Sequence, residues 1–116
     1  MKKNIAYSRA YQFAIKIINA HRYLIEEKKE FVLSEQLLKS GTSIGATILE
    51  AIESISTAEK RANISFAYRN CILSKYWLSL LRDTGYIDLK SYNNIYQDLD
   101  EITQILLATL KTVKNS

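Results

Sequence analysis

Apolar residues recur every three or four positions along most of the chain, which is the period of a helix that buries one face. The first such segment covers residues 5–30, and the last begins near residue 88. In the first segment the stripe consists of Ala6, Ala10, Phe13, Ile17, Ala20 and Leu24. In the last segment it consists of Tyr92, Ile95, Leu99, Ile102, Leu106, Leu110 and Val113. The pattern therefore predicts an amphipathic helix at each end of the chain.

A second helix is predicted to start at Ser34. Serine is a favourable N-cap residue, and Leu33 and Leu38 are spaced to form a hydrophobic staple across it. The apolar stripe of this helix is expected to be Leu37, Gly41, Ile44, Ile48, Ala51 or Ile52, and Ile55.

A third helix is predicted after the capping box of Ser56 and Glu59, with Gly85 suited to its C-terminal stop. Its core-facing stripe is expected to be Ala62, Phe66, Leu73, Trp77 and Leu80. Asp88 is the expected N-cap of the fourth helix. Four amphipathic helices with short connections predict an all-α, antiparallel up-down-up-down four-helix bundle that forms a single domain over residues 1–116.

Gly41 and Gly45 stand four residues apart in the segment SGTSIGA. A Walker-type phosphate loop has the pattern GxxxxGK[ST] after a buried strand, whereas this segment reads GxxxG within a helical pattern. Each glycine costs about 1 kcal/mol of helix propensity relative to alanine, a cost that close contact with another helix can offset. We therefore interpret Gly41 and Gly45 as positions of close helix packing.

The side of the third helix opposite its expected core stripe has a repeat of its own. It contains Arg61, Ser65, Tyr68, Ile72, Lys75, Ser79 and Arg82. An isolated bundle needs only one buried stripe per helix, so this second face predicts burial against other subunits. The chain also has eight tyrosines, a residue type enriched at interfaces. The residues expected at a homo-oligomer interface are Tyr7, Tyr11, Ile18, Tyr68, Ile72 and Tyr76.

The net charge is +4, with a sequence pI of about 9.2. This positive charge is compatible with binding to nucleic acid, and equally with no anionic partner. The cations expected to contact phosphates are Lys2, Lys3, Arg9, Lys16, Arg61, Lys75 and Arg82. The alternative is that they solvate the bundle or pair with acidic residues on adjacent helices. No base-reading motif is present, so binding would depend on charge and shape.

Catalytic and metal-binding patterns are absent from the sequence. His21 lies at the edge of an apolar stripe and Cys71 lies among apolar residues, so both are expected to be packing residues. Glu50 and Glu53 are interpreted as part of a solvated face. We expect neither an enzyme nor a metal or other cofactor.

The sequence favours a cytoplasmic location. No signal-peptide pattern is visible, and no uncharged stretch approaches the roughly 20 residues that span a bilayer. The single cysteine fits a reducing compartment.

The segment VLSEQLLKSGTSIGATILEA, followed by the capping box and by YWLSLL at residues 76–81, resembles the four-helix-bundle family of 23S rRNA intervening-sequence proteins. The resemblance runs from the first helix through Lys114. It implies assembly into a homopentamer. For a distant branch that serves diversity-generating retroelements, it implies binding to reverse transcriptase and nucleic acid. No biochemical activity is established for most members.

The chain departs from the family pattern at three positions. Thr47 stands where the family usually has asparagine, and Asn70 and Leu73 stand where it often has glutamate, although Glu50 is kept. Two hypotheses follow. The first is a non-enzymatic homo-oligomer that binds RNA or another nucleic acid through a basic surface. The second is a protein-interaction scaffold or accessory subunit that binds no nucleic acid.

Overall fold

The computed structural model describes residues 4–113, and four helices account for nearly all of them. They are α1 (Ile5–Glu26), α2 (Leu33–Ile52), α3 (Thr57–Asp83) and α4 (Leu89–Val113). No strand occurs within this range. The expected all-α class is confirmed.

Each helix packs against the helices that precede and follow it, and α4 returns to α1. The contacts of neighbouring helices run in opposite sequence directions. In the α1–α2 pair, Ile17 lies against Gly41, whereas the earlier residue Ala10 lies against the later residue Gly45. The polar contacts of the other three pairs follow the same reversed order. Neighbouring helices are therefore antiparallel.

The core runs along the bundle and receives side chains from all four helices. The predicted stripes of α1 and α4 are its main part, with Ala6, Ala20 and Leu110 partly buried against it. The stripe of α2 is also buried through Ala51, whereas Ile52 and Ile55 are exposed. The side chain of Val113 lies outside the described part of the chain. Fully buried large side chains include Phe13, Ile17, Leu24, Leu37, Ile44, Ile48, Leu78, Leu81, Leu99, Ile102 and Leu106.

The core-facing side of α3 differs from the predicted one. Phe66 and Leu73 are 52% and 46% exposed, and Ala62 is exposed as well. Trp77 and Leu80 are only partly buried. The buried positions are instead Ile64, Ala67, Cys71, Ser74, Leu78 and Leu81. The predicted stripe was wrong because it followed the larger apolar side chains.

Small side chains explain which face of α3 turns inward. Ala67, Cys71 and Ser74 are all completely buried. Ser74 Oγ lies 2.7 Å from Ser40 Oγ of α2, so the two hydroxyls share a hydrogen bond. Such a contact requires the two helices to approach closely, which bulky residues at these positions would prevent.

The predicted helix signals after α2 are present. The side chain of Ser56 accepts a hydrogen bond from the Glu59 N–H at 3.1 Å, as in a capping box. Gly85 follows α3 with φ of 84°, a conformation that glycine adopts without strain. Asp88 Oδ1 accepts from the Ser91 N–H at 2.7 Å and caps α4.

The N-terminus of α2 is capped differently from the prediction. The helix begins at Leu33, and Ser34 is a completely buried residue inside its first turn. The carboxylate of Glu30 accepts hydrogen bonds from the N–H groups of Val32, Leu33 and Ser34, at 2.6 to 3.1 Å. The Ser34 hydroxyl in turn donates to the Glu30 carbonyl at 2.6 Å. Glu30, rather than Ser34, is thus the capping side chain.

Candidate interaction surfaces

The predicted phosphate-contacting residues of α1 form ion pairs with α4. Arg9 donates to Glu101, and Lys16 donates to both Asp98 and Asn94. Arg9 is about half exposed. Arg9 and Lys16 therefore connect α1 to α4 through polar contacts.

The predicted cations of α3 also face α4. Lys75 donates to Asp100 at 2.8 Å and lies 5.1 Å from the centre of the Tyr96 ring. Burial alone would lower the pKa of Lys75, but the hydrogen bond to Asp100 and the neighbouring Tyr96 hold it above its usual value. Arg61 donates to the carbonyl of Leu110 at 3.0 Å. Both side chains therefore contribute to the α3–α4 contact.

Arg82, the last predicted cation of α3, donates to Asp83 and lies 4.3 Å from the centre of the Tyr92 ring. Lys2 and Lys3 lie outside the described residues. Each of the five cations that are described is therefore bonded to a group of the same chain. They form two rows, one on each side of α4, rather than a single patch.

The residues predicted at a subunit interface divide into two groups. Tyr11, Ile18, Ile72 and Tyr76 are exposed. Tyr7 and Tyr68 are partly buried and pack against the core.

The outer face of α3 is apolar in the middle of the helix, over residues 66–76. It consists of Phe66, Arg69, Ile72, Leu73 and Tyr76, which we call the α3 patch. Its four large apolar side chains are 44 to 57% exposed. The Arg69 guanidinium lies 5.4 Å from the centre of the Phe66 ring. Sequence analysis missed Phe66 and Leu73 as surface residues because it assigned them to the core.

A second apolar surface lies where α1 meets α2. It consists of Tyr11, Ile15, Ile18 and Leu49, which we call the α1–α2 patch. These side chains are 38 to 54% exposed. A shallow groove of about 120 Å³ lies beside them, over Gly45, and its floor is formed in part by Ala14 and Ala46.

Two of the three residues that the sequence analysis interprets as departures, Thr47 and Asn70, have local partners. Thr47 donates its hydroxyl hydrogen to the Ser43 carbonyl at 2.8 Å, and the Asn70 amide donates to the Phe66 carbonyl at 3.1 Å. Leu73 belongs to the α3 patch.

An open groove of about 800 Å³ follows the α1–α4 seam and is lined by residues that include Lys16, Tyr23, Lys90, Asn94 and Gln97. Cys71 is buried elsewhere in the bundle, and burial raises the pKa of its thiol to about 11. His21 Nε2 lies 3.9 Å from Glu35 Oε1. Within residues 4–113, no group of three or more His, Cys, Asp or Glu side chains is placed to hold a metal ion. None of these features provides a nucleophile beside a base.

The described helices also lack a membrane-spanning candidate, since none is both long enough and apolar enough to cross a bilayer.

Comparison with known proteins identifies a family but no activity. A family model described as "23S rRNA-intervening sequence protein" matches residues 2–108. No curated protein matches the chain. Among solved structures, the chain is similar to a Bacteroides thetaiotaomicron protein of unknown function from the S23 ribosomal protein family. The two are 38% identical with a TM-score of 0.91, over 92% of this chain and 99% of the other.

Proposed function

Because the chain belongs to the family of 23S rRNA-intervening sequence proteins, we propose that it acts as a non-enzymatic homo-oligomer, with five copies on the family resemblance. The α3 patch is the observation that supports this proposal most directly. Four large apolar side chains, each 44 to 57% exposed, occupy one face of one helix. A monomeric protein rarely leaves such a row open to water. In the oligomer, other copies of the chain cover it.

The energetics favour use of more than one patch. Complete burial of a large apolar side chain contributes about 1.5 to 3 kcal/mol, so half-exposed side chains add about half as much. The four in the α3 patch would then contribute roughly 4 kcal/mol. Association itself costs about 4 kcal/mol or more, so a single patch is marginal. An assembly in which each copy also buries the α1–α2 patch is correspondingly more stable.

The proposal predicts that a charge in the α3 patch disrupts the oligomer. Leu73→Glu should convert the protein to monomers at micromolar concentration, because assembly would bury an unpaired carboxylate. Leu89→Glu is the matched control, since Leu89 is 62% exposed but belongs to neither patch. Sedimentation velocity measures the mass, and circular dichroism verifies that both variants are folded. Assembly of Leu73→Glu at the parental mass would contradict the proposal. A monomeric parent would favour the alternative that the patch binds a different protein as a scaffold.

A second candidate function is binding to RNA or another nucleic acid, which the net charge of +4 favours. An oligomer repeats this charge in every copy, which strengthens attraction to a phosphate backbone. Because the described cations of the predicted surface already have partners, phosphates would have to compete with Asp98, Asp100 and Glu101.

This candidate predicts salt-dependent binding to structured RNA. Arg9→Gln should weaken binding and reduce the salt slope by about one, because it removes one phosphate contact. Lys60→Gln removes the same charge outside the predicted surface and should have a smaller effect. Fluorescence anisotropy across a salt series measures both. Absence of binding at low ionic strength, or equal effects of the two variants, would contradict the predicted surface.

A further inference from the structure

The groove on the α1–α4 seam combines apolar and polar lining. Ala20, Ile87 and Ile95 contribute buried or half-buried apolar surface, and most of the other lining residues are polar. Its volume of about 800 Å³ lies within the range of small-ligand sites, about 300 to 1,000 Å³. None of the lining residues belongs to the α3 patch or the α1–α2 patch. The groove is therefore a separate candidate site, large enough for a planar ring system.

Side-chain amides are the main hydrogen-bonding groups of this groove. Asn93, Asn94 and Gln97 line it from α4, and all three are exposed. Each carboxamide has one acceptor oxygen and two N–H donors. Asn94 Oδ1 accepts from Lys16 at 2.8 Å, which leaves the two donors of its amide nitrogen for a ligand. Amides that both donate and accept match the edges of nucleobases, as in the paired hydrogen bonds of asparagine or glutamine to adenine.

Tyr23 gives the groove an aromatic face on the α1 side. Its side chain is 47% exposed and lines the groove. It takes part in none of the aromatic ring pairs within residues 4–113. Proteins hold unpaired bases by this combination, in which an aromatic ring stacks on the face of the base and polar side chains bond to its edge.

The charges of the groove nearly balance. Lys16 is paired with Asp98, and the Asp88 carboxylate accepts from the Ser91 N–H. Lys90 forms no ion pair within residues 4–113, and its charge is opposite to that of Asp88. A nearly neutral groove favours an uncharged group such as a base. The Lys90 ammonium can contact a phosphate beside that base.

We propose that the α1–α4 groove binds one unpaired nucleobase of a single-stranded nucleic acid, which stacks on Tyr23 and is hydrogen-bonded by the amides of α4. This inference rests on the nucleic-acid binding proposed above, and it names the part of the ligand that is recognised. A base within a duplex has its faces covered by neighbouring bases and its pairing edge occupied. The groove therefore selects single-stranded segments, and the cations beside α4 add attraction to the phosphates.

Tyr23→Leu tests the stacking contact. The probe is a labelled RNA of about 12 nucleotides, within the site sizes of single-strand binders, used alone or annealed to its complement. Fluorescence anisotropy should show that the parent binds the single strand more tightly than the duplex. Tyr23→Leu should weaken single-strand binding about tenfold, whereas Tyr23→Phe keeps the ring and should retain most of the affinity. Because a base is uncharged, Tyr23→Leu should leave the salt slope unchanged, unlike Arg9→Gln.

Gln97→Leu tests the amide contacts. Gln104→Leu is the matched control, since Gln104 is exposed on the same helix but does not line the groove. Gln97→Leu should weaken single-strand binding, and Gln104→Leu should bind as the parent does. Circular dichroism and sedimentation verify that all variants keep the fold and the assembly of the parent.

The outcomes separate this site from nucleic-acid binding in general. A parent that binds neither probe at low ionic strength overturns both proposals. A parent that binds the duplex as tightly as the single strand overturns only the groove, as does a Tyr23→Leu variant that binds as the parent does. Equal losses in Tyr23→Leu and Tyr23→Phe, or in Gln97→Leu and Gln104→Leu, also overturn the groove alone.

Discussion

Replacement of Glu30 by alanine is expected to lower the free energy of unfolding by about 2 to 3 kcal/mol. The carboxylate is 7% exposed and accepts from three N–H groups at the start of α2. Its removal leaves these donors without partners, one of them in completely buried Ser34, and an unpaired buried donor costs about 1 to 3 kcal/mol. The favourable interaction of a negative charge with the helix N-terminus is lost as well. Urea unfolding measures the change.

Glu30→Gln tests how much the charge of the side chain contributes to stability, separately from its size and shape. The amide keeps the size and one acceptor oxygen, so we expect a smaller loss of stability than with alanine. Glu27→Ala is the control, since Glu27 is an exposed residue of the same connection and should change stability by less than about 0.5 kcal/mol. Equal stability of Glu30→Ala and Glu27→Ala would show that Glu30 is not the cap. All comparisons require one protein concentration, because assembly adds to the apparent stability.

The contribution of Glu30 should depend on pH. Burial by itself raises the pKa of Glu30, but the hydrogen bonds from Leu33, Ser34 and Val32 outweigh it and hold the pKa below its ordinary value of 4.5. A carboxyl group with a lower pKa in the folded protein stabilises it fully above its unfolded pKa. That contribution is lost as the pH falls through the folded value. The stability difference between the parent and Glu30→Gln should therefore shrink as the pH is lowered below about 4.5.

Substitutions at the two α2 glycines are expected to have opposite effects. A Cβ atom at Gly41 would lie 3.1 Å from two carbons of Ile17, a completely buried and β-branched residue that has little room to move. Gly41→Val should therefore cost about 3 kcal/mol through overpacking. At Gly45, a Cβ would lie 3.6 Å from the Ala10 Cβ, an ordinary contact. Gly45→Ala should instead stabilise the protein by about 0.5 to 1 kcal/mol through helix propensity.

The alanine pair gives the most direct comparison. Gly41→Ala gains the same helix propensity as Gly45→Ala, but the contact with Ile17 cancels or reverses the gain. In thermal and urea unfolding, Gly45→Ala should therefore be more stable than the parent, and Gly41→Ala should be as stable as the parent or less stable. Equal stabilisation by both substitutions would show that Ile17 can move aside and that Gly41 is not required for the α1–α2 contact.

The candidate surfaces were only partly predictable from the sequence. The sequence identified Tyr11, Ile18, Ile72 and Tyr76 as apolar residues in excess of one core stripe, and all four are exposed. It could not show that Lys16 and Lys75 have acidic partners on α4, because those partners are 82 and 25 residues away in the chain. Pairs that distant depend on the packing of whole helices.

The cap of α2 shows a similar limit at short range. Ser34 has the residue type of an N-cap, and the sequence pattern around it fits a staple. Glu30 caps the helix in place of Ser34. Lys29 adopts a positive φ of 56°, and with the chain turned in this way the Glu30 carboxylate reaches three N–H groups. Residue preferences alone do not include that backbone turn.

The four helices, the stripes of α1 and α4, the stop at Gly85 and the N-cap at Asp88 could all be predicted from the sequence, because these depend on local periodicity and hydrogen bonds within a few residues. Which face of α3 is buried depends instead on how α3 packs against the other helices. Both faces of α3 carry apolar groups, so their period allows either orientation. Ala67, Cys71 and Ser74 are the buried residues because the close approach of α2 leaves room only for small side chains. Phe66, Leu73 and Tyr76 are thereby turned outward.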